Sequence, residues 1–289
     1  MDILLALVPA LFWGTLLLVS SKLGGKAHHQ LVGMTLGALV FAIGIYVFKQ
    51  PELSTTIWTA GIISGICWAL GQYNQFSAVG YLGVSRTVPI STGMQLIVTT
   101  LFGVIVFGEW STTTSVILGI IAIVLLIIGV VFTVMEDKQA NTQGTQMSGG
   151  SQMQKGIMHL VISTVGFVGY VIILRWFEVD GWAAIMPQAI GMVLGGLLLT
   201  LKHKPFNKYT FRNILTGVWW GAGNLALLLS IPLIGVATSF SLSQTGTIIS
   251  TLGGIFLLNE KKSKRQMVFV IIGCVLIVVG GVMIGLTKE

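Results

Sequence analysis

Charge is what this sequence has least of. Only 9% of its 289 residues are Asp, Glu, Lys or Arg, against 54% apolar residues, and the mean hydropathy is +0.91. A soluble domain carries about a quarter of its residues as charges, so a soluble surface is excluded and an integral membrane protein is expected. All nine acidic residues (Asp2, Glu52, Glu109, Glu136, Asp137, Glu178, Asp180, Glu260 and Glu289) lie outside the apolar runs or at their edges. No buried counter-charge is therefore available for an organic cation, and a neutral polar ligand suits the chain better. Cysteine is nearly absent. Cys67 and Cys274 both lie inside apolar runs, where two buried thiols and no disulfide are expected. The sequence also lacks a His-Glu-x-x-His helix, a Gly-x-Ser-x-Gly elbow and any acid pair or Asp/His cluster within an apolar run. No metal site, cofactor or enzyme chemistry is expected. Only Asp2 precedes the first apolar run, with no basic segment and no small-residue cleavage site, so a retained helix is expected there rather than a cleaved signal.

What is present is a succession of apolar runs. Crossing about 30 Å of hydrocarbon takes roughly 20 helical residues. Ten such spans fit, at 3–21, 30–48, 57–79, 85–107, 114–135, 157–177, 182–201, 213–233, 236–258 and 267–286. The fold class expected is an all-α membrane protein. Residues 136–155 are polar, rich in Gly, Ser and Gln, and aperiodic, which predicts a linker. It separates a first five-helix domain, 1–135, from a second, 156–289.

These halves resemble each other. Trp68, Gly71 and Gln72 reappear 152 positions later as Trp220, Gly223 and Asn224, and Gly14 and Gly83-Val84 return at the same shift as Gly166 and Gly235-Val236. The Thr99–Gly103 segment and Glu109 return at a shift of 151 as Ser250–Gly254 and Glu260. Because five is odd, the second copy enters the membrane from the opposite side, giving inverted repeats of the kind secondary transporters use. The basic residues agree with this. The corner after span 4 (Gly108 to Thr112) has no Lys or Arg, while its counterpart after span 9 holds Lys261, Lys262, Lys264 and Arg265. Thirteen of the sixteen Lys and Arg fall on one side; Lys49, Arg175 and Lys288 fall on the other. The net charge of +7 thus reports orientation in a lipid bilayer and not nucleic-acid binding. It predicts a cytoplasmic linker and two extracellular termini.

Polar groups inside a bilayer are costly unless a helix, water or ligand satisfies them. The segment Cys67–Gln75 brings an indole, three amides and a phenol into one apolar run, and Trp220–Asn224 repeats it. Spans 4 and 9 add Ser91, Thr92, Gln95, Thr99 and Thr100, and Ser239, Ser241, Ser243, Gln244, Thr245, Thr247, Ser250 and Thr251. Hydroxyls can bond their own helix. The amides of Gln72, Gln95, Asn224 and Gln244 either line a cavity or bond between helices. Trp58, Trp110, Trp176 and Trp182 stand near span ends, as interface anchors do. Trp13, Trp68, Trp219 and Trp220 lie deeper, where an indole either packs on a neighbour or offers its face to a sugar ring. Prolines 9, 89, 187 and 232 mark kinks. His159 is the histidine at a span edge, either a group that titrates near neutrality or a membrane-surface histidine without a role in transport. Glu109 and Glu260 each precede a helix and are expected to cap it.

Two halves with Gly-Glu or Asn-Glu after the fourth helix, and spaced glycines in the fifth (Gly119 and Gly129; Gly273 and Gly280), resemble the drug/metabolite transporter superfamily. Pro9–Gly14, Trp68–Gln72 and Thr92–Gln95 are similar to its bacterial glucose/ribose porter family, over nearly the whole chain. The resemblance implies alternating-access uptake of glucose or a related monosaccharide across the plasma membrane, driven by proton symport. Trp13, Trp68, Gln72, Gln95, Trp220, Asn224 and Gln244 are then the sugar-binding candidates, at a centre between spans 3, 4, 8 and 9. With no buried acid, His159, Glu178, Asp180 and Glu109 are the groups available to a proton, and passive facilitation is the alternative. An exporter of a neutral metabolite or drug on the same scaffold is the competing function. Neither the sugar nor an oligomeric state is legible.

Overall fold

The computed structural model describes residues 2–108, 110–135, 149–234 and 242–287. Among these residues the regular structure is helical: α1 (Asp2–Leu23), α2 (Ala27–Lys49), α3 (Thr55–Leu82), α4 (Val84–Phe107), α5 (Thr113–Val134), α6 (Gly149–Trp176), α7 (Gly181–Thr200), the short α8 (Lys208–Arg212), α9 (Ile214–Ile234), α10 (Gly246–Leu257) and α11 (Lys264–Leu286). The expected span 236–258 overlaps the twelve-residue α10, and the other nine of the ten each overlap one of the long helices. Six of them, α2, α4, α5, α6, α7 and α11, are long and apolar enough to cross a membrane. Helix α3 has the length but not the hydropathy, because Gln72, Asn74 and Gln75 interrupt its apolar run.

Burial runs opposite to that of a soluble protein. Ile117, Ile120, Ile121, Val124 and Ile127 of α5 are exposed, while Ser64, Gln72, Ser91, Gln188 and Asn213 are buried. An exposed aliphatic face of this extent is a lipid face. The protein is an all-helical, multi-pass membrane protein.

Contacts divide the chain into two compact units. The first consists of Met1–Leu18, Ala78–Met158 and Leu225–Glu289, and so holds the start of α1 with α4, α5, α10 and α11. The second consists of Val19–Ser77 and His159–Asn224, with α2, most of α3 and α6, α7, α8 and the start of α9. Each unit draws helices from both halves of the sequence.

In lipid, where no hydrophobic force drives apolar helices together, close backbone packing carries association. In the first unit α5 and α11 run antiparallel: a Cβ on Gly129 would lie 2.8 Å from the Gly273 carbonyl oxygen, and one on Gly280 3.0 Å from that of Ala122. In the second unit α3 and α7 meet at Gly65 and Gly191, where a Cβ on Gly65 would lie 2.8 Å from the Gly191 carbonyl carbon. Helices α2 and α9 meet in the same way at Gly37 and Gly217, with 2.7 Å from a Gly217 Cβ to the Gly37 carbonyl carbon.

Several expectations are revised. Helix α6 begins at Gly149, so 149–155 is helical and not linker, Gln152, Gln154 and Lys155 being good helix formers; residues 136–148 lie outside the described residues. His159 is consequently ten residues inside α6, about 15 Å along its axis, and stands near the start of the helix's apolar run. The connection 202–212 between the expected spans 182–201 and 213–233 is not all loop: it takes in most of a 3₁₀ turn at Leu201–His203 and all of α8, whose first amides are capped by Asn207. Near the ninth span, a turn at Thr245 separates helical Leu242–Gln244 from α10, and residues 235–241, with Ser239 and Ser241, lie outside the described residues.

Glu260 does cap a helix, but not the one that follows it. Its carboxylate accepts from the Val84 and Ser85 backbone amides at 2.5 and 3.2 Å and from the Ser85 hydroxyl, at the N-terminus of α4. Gly83 makes room: its φ is 76°, and a Cβ there would lie 2.7 Å from the Glu260 carboxyl carbon. Helix α11 is capped instead by Ser263, in a reciprocal box with Gln266. Glu109 lies outside the described residues. Trp110, expected as an anchor, covers Gly119 and donates its indole N–H to Thr287 at 3.2 Å.

Candidate sugar site

Four of the seven sugar-binding candidates belong to the second unit. Trp68 of α3 and Trp220 of α9, the indoles that recur 152 positions apart, lie with ring centroids 5.2 Å apart at 60°. Phe167 of α6 meets Trp68 edge-on at 6.3 Å. Trp68 is only 2% exposed, so protein rings already cover it, while Trp220 is half-buried. One turn along α3, Gln72 donates its amide to Gln75 Oε1 at 3.2 Å. Asn224, one turn along α9 from Trp220, is half-buried and makes no hydrogen bond with another described residue. Aromatic surface and amide groups thus stand together on two helices of one unit, the combination a pyranose needs for its apolar face and its hydroxyls.

The remaining three candidates belong to the first unit. Gln95 of α4 donates to Ser91 Oγ at 2.9 Å, one turn below it. Gln244 donates to Ser243 Oγ at 3.3 Å, and Thr247 of α10 bonds Thr92 of α4 at 3.3 Å. Trp13 is half-buried on α1, next to Gly14, whose Cβ would lie 2.5 Å from the Gly246 carbonyl oxygen. Here the amides satisfy hydroxyls of their own chain segment, and the hydroxyls tie α4 to α10.

The titrating candidates separate sharply. The Asp180 carboxylate accepts from the Trp182 and Ala183 amides at 3.0 and 3.2 Å and so caps α7. Glu178 stands in the preceding turn with φ 50°. His159 Nδ1 lies 2.8 Å from Asn74 Oδ1 on α3. Two polar clusters escaped the sequence reading. One is this His159–Asn74 pair. The other joins three helices of the second unit: Gln188 of α7, 3% exposed, donates to Ser64 Oγ at 2.9 Å, and Ser64 donates to the Tyr170 carbonyl of α6 at 2.8 Å. Gln188 follows Pro187 in an apolar run, so it carried the same signal as Gln72: an amide with no reason to be there unless it is paired.

Residues 4–287 match the sequence profile of a family described as sugar transport protein. The chain belongs to the sugar transport protein family. It is 59% identical over 288 residues to a putative sugar uptake protein of Bacillus cereus, covering all of both chains. It is 55% identical over 289 residues to a probable glucose uptake protein of Priestia megaterium, again covering both completely. With the glucose uptake protein of Bacillus subtilis it shares 54% over 288 residues, all of this chain and 99% of that one. A solved crystal structure 16% identical to it superposes with a TM-score of 0.58 over 98% of this chain and 95% of that one, a likeness of fold alone. This family member is a transport protein and not an enzyme.

Proposed function

We propose that the protein takes up glucose or a closely related monosaccharide across the plasma membrane, coupled to protons, by alternating access between two inverted five-helix repeats. The observation that carries this reading is the Trp68–Trp220 pair with Gln72 and Asn224 beside it, set in a chain of the sugar transport family. The three relatives named for sugar or glucose uptake support the direction and the substrate class.

Support for the repeat comes from contacts that exchange partners under the sequence shift. Adding 151 to Gly129 gives Gly280, and subtracting it from Gly273 gives Ala122, so the contact Gly129–Gly273 becomes Gly280–Ala122, which is also present. Likewise Gly65 with Gly191 becomes Gly217 with Gly37, at shifts of 152 and 154. Ten membrane helices, domains at 1–135 and 156–289, external termini and an internal linker follow from that arrangement and from the basic-residue asymmetry.

In this reading Trp220 offers a ring face, Trp68, itself backed by Phe167, holds it in place, and Gln72 and Asn224 bond sugar hydroxyls. Gln95, Gln244 and Trp13 are tested by substitution as further contacts. Of the titrating groups, Asp180 is committed to its helix, and the proton is assigned to His159, Glu178 or Glu109, with His159 the first to be substituted. Purified protein in liposomes should accumulate labelled glucose, and an imposed inward proton gradient should raise the accumulated level. Absence of glucose counterflow would refute the substrate; counterflow indifferent to the gradient would refute the coupling.

A further inference from the structure

One end of the second unit carries charge of a single sign. Lys22 and Lys26, which flank the turn between α1 and α2, and Lys202, Lys204, Lys208 and Arg212, in and around α8, are all exposed. Neither 19–30 nor 200–213 contains an Asp or Glu. The acids of this unit, Glu52, Glu178 and Asp180, lie at the far ends of α2 and α7, about 35 Å away along a helix of the length of α2. Among the described residues none of the six cations has a carboxylate partner. Like charges gathered in this way repel one another until something neutralises them.

This end is also firmly built. Gly24 and Gly25, at φ 79° and 94°, lay the α1–α2 turn on Tyr209 of α8: a Cβ on either would lie 3.2 Å from Tyr209 Cε1 or 2.8 Å from Tyr209 Cβ. The fully buried Asn213 donates to the Gly24 and Tyr209 carbonyls at 3.1 and 2.9 Å and accepts from the Ser20 hydroxyl at 2.7 Å. His28 stacks on His203 with ring centroids 5.2 Å apart. Turn and helix thus form one ledge, on which Lys208 Nζ and Arg212 Cζ stand 5.2 and 5.8 Å from the centroid of the Tyr209 ring. In the same stretch of chain Phe206 and Phe211 are 55% and 62% exposed.

We propose that this ledge binds the headgroup of an anionic phospholipid, with Lys26, Lys208 and Arg212 neutralising its phosphate and Phe206 and Phe211 against its acyl chains. The cations require an anion. The exposed phenyl rings among them require one that carries hydrocarbon, which a free phosphate does not. Basic clusters at the ends of membrane helices attract anionic lipids, and aromatic side chains settle at the headgroup level. Because the ledge joins Lys26 of the first half of the sequence to α8 of the second, a lipid seated there ties the two together. The inference needs neither the sugar, nor the proton, nor the orientation of the chain.

The test is the thermal midpoint of detergent-solubilised protein titrated with short-chain phosphatidylglycerol. The midpoint should rise and saturate, as it does when a ligand binds only the folded state, and phosphatidylcholine of the same chain length should leave it in place. K208Q/R212Q alters exposed residues, so it should keep the parent's midpoint without lipid while needing roughly tenfold or more lipid for half-saturation, since each cation near an anionic lipid surface changes affinity about fivefold. K26Q, on the other segment, should show about fivefold and serves if the double variant does not fold. K261Q/K264Q removes the same charge at another corner and should titrate like the parent. F206S/F211S keeps every charge and should also bind the lipid more weakly. Equal weakening in K208Q/R212Q and K261Q/K264Q would mean diffuse attraction to a basic protein and would overturn the proposal, as would parent-like lipid binding by F206S/F211S. An equal rise with inorganic phosphate or glycerol 3-phosphate would make the ligand a soluble phosphate and overturn it too.

Discussion

Gln72 is 4% exposed and its amide donates to Gln75 on α3, so its removal tests whether the buried amide binds sugar or merely its neighbour. A lost neutral hydrogen bond costs about 0.5–1.5 kcal/mol, and a buried group left unpaired about 1–3. Q72A and N224A should therefore weaken glucose binding by roughly threefold to a hundredfold in counterflow titrations. W220A should lose more than W220F, because the phenyl ring keeps a face for the sugar. W58F, at the start of α3, serves as the control and should titrate like the parent. Parent-like affinity in Q72A, N224A and W220A together, in protein shown to be folded, would remove the cluster from the binding site. At this scale the residues were legible and their partners were not. The 152-residue echo selected Trp68, Trp220, Gln72 and Asn224 because an indole and an amide are expensive inside an apolar run. It did not reveal that Trp68 is covered by Phe167, or that Asn74 faces His159. Those facts depend on how far α6 is rotated against α3, and one helix's sequence does not encode its neighbour's rotation.

Helix boundaries followed from apolar length and from Gly and Pro, whereas caps supplied across the fold could not be read from local spacing. Ser263 with Gln266 at the start of α11 is a local box, visible as Ser-x-x-Gln. Glu260 on α4 is 176 residues away from the amide it binds, and its position just before α11 pointed to the wrong helix. The consequence is measurable. Charged hydrogen bonds contribute about 1.5–3 kcal/mol and a carboxylate at an N-terminus about 0.3–1 on its own. E260Q keeps the shape and some acceptor capacity, so detergent-solubilised protein should lose about 1–2 kcal/mol of stability, read as a lower thermal midpoint. G83A should lose at least as much, since it adds a Cβ both at φ 76° and against the carboxylate. Both should respond to pH gradients with the parent's profile midpoint. A shifted midpoint in E260Q would make Glu260 part of proton coupling and not a cap. The polar stretch Ser151–Lys155 reads as linker by composition, yet it belongs to α6, which begins about two turns before its apolar run.

For the whole molecule the decisive property is orientation, and it rests on charge counting alone. Thirteen Lys and Arg against three is a strong bias, because each basic residue in a short loop disfavours translocation. The proposed inverted repeat strengthens the argument: equivalent corners should then face opposite compartments, and the basic Lys261–Arg265 corner and the Gly108–Thr112 corner, which has no Lys or Arg, differ as that requires. Two exposed serines suit a test. Ser54 precedes α3 on the face expected outside, and Ser151 opens α6 on the face expected inside. Cys67 and Cys274 would first be replaced, Cys274 conservatively, since its sulfur contacts the Thr251 hydroxyl at 2.8 Å. With S54C and S151C introduced singly, an impermeant thiol reagent applied to intact cells should label S54C and spare S151C until the membrane is opened. The reverse pattern would invert the topology while leaving the repeat intact, because an inverted pair reads the same from either side except for its charges. Labelling of both sites in intact cells would be the more damaging result. It would place the two corners on one face, an arrangement that an odd number of membrane crossings between positions 54 and 151 forbids, and the five-helix repeat would fall with it.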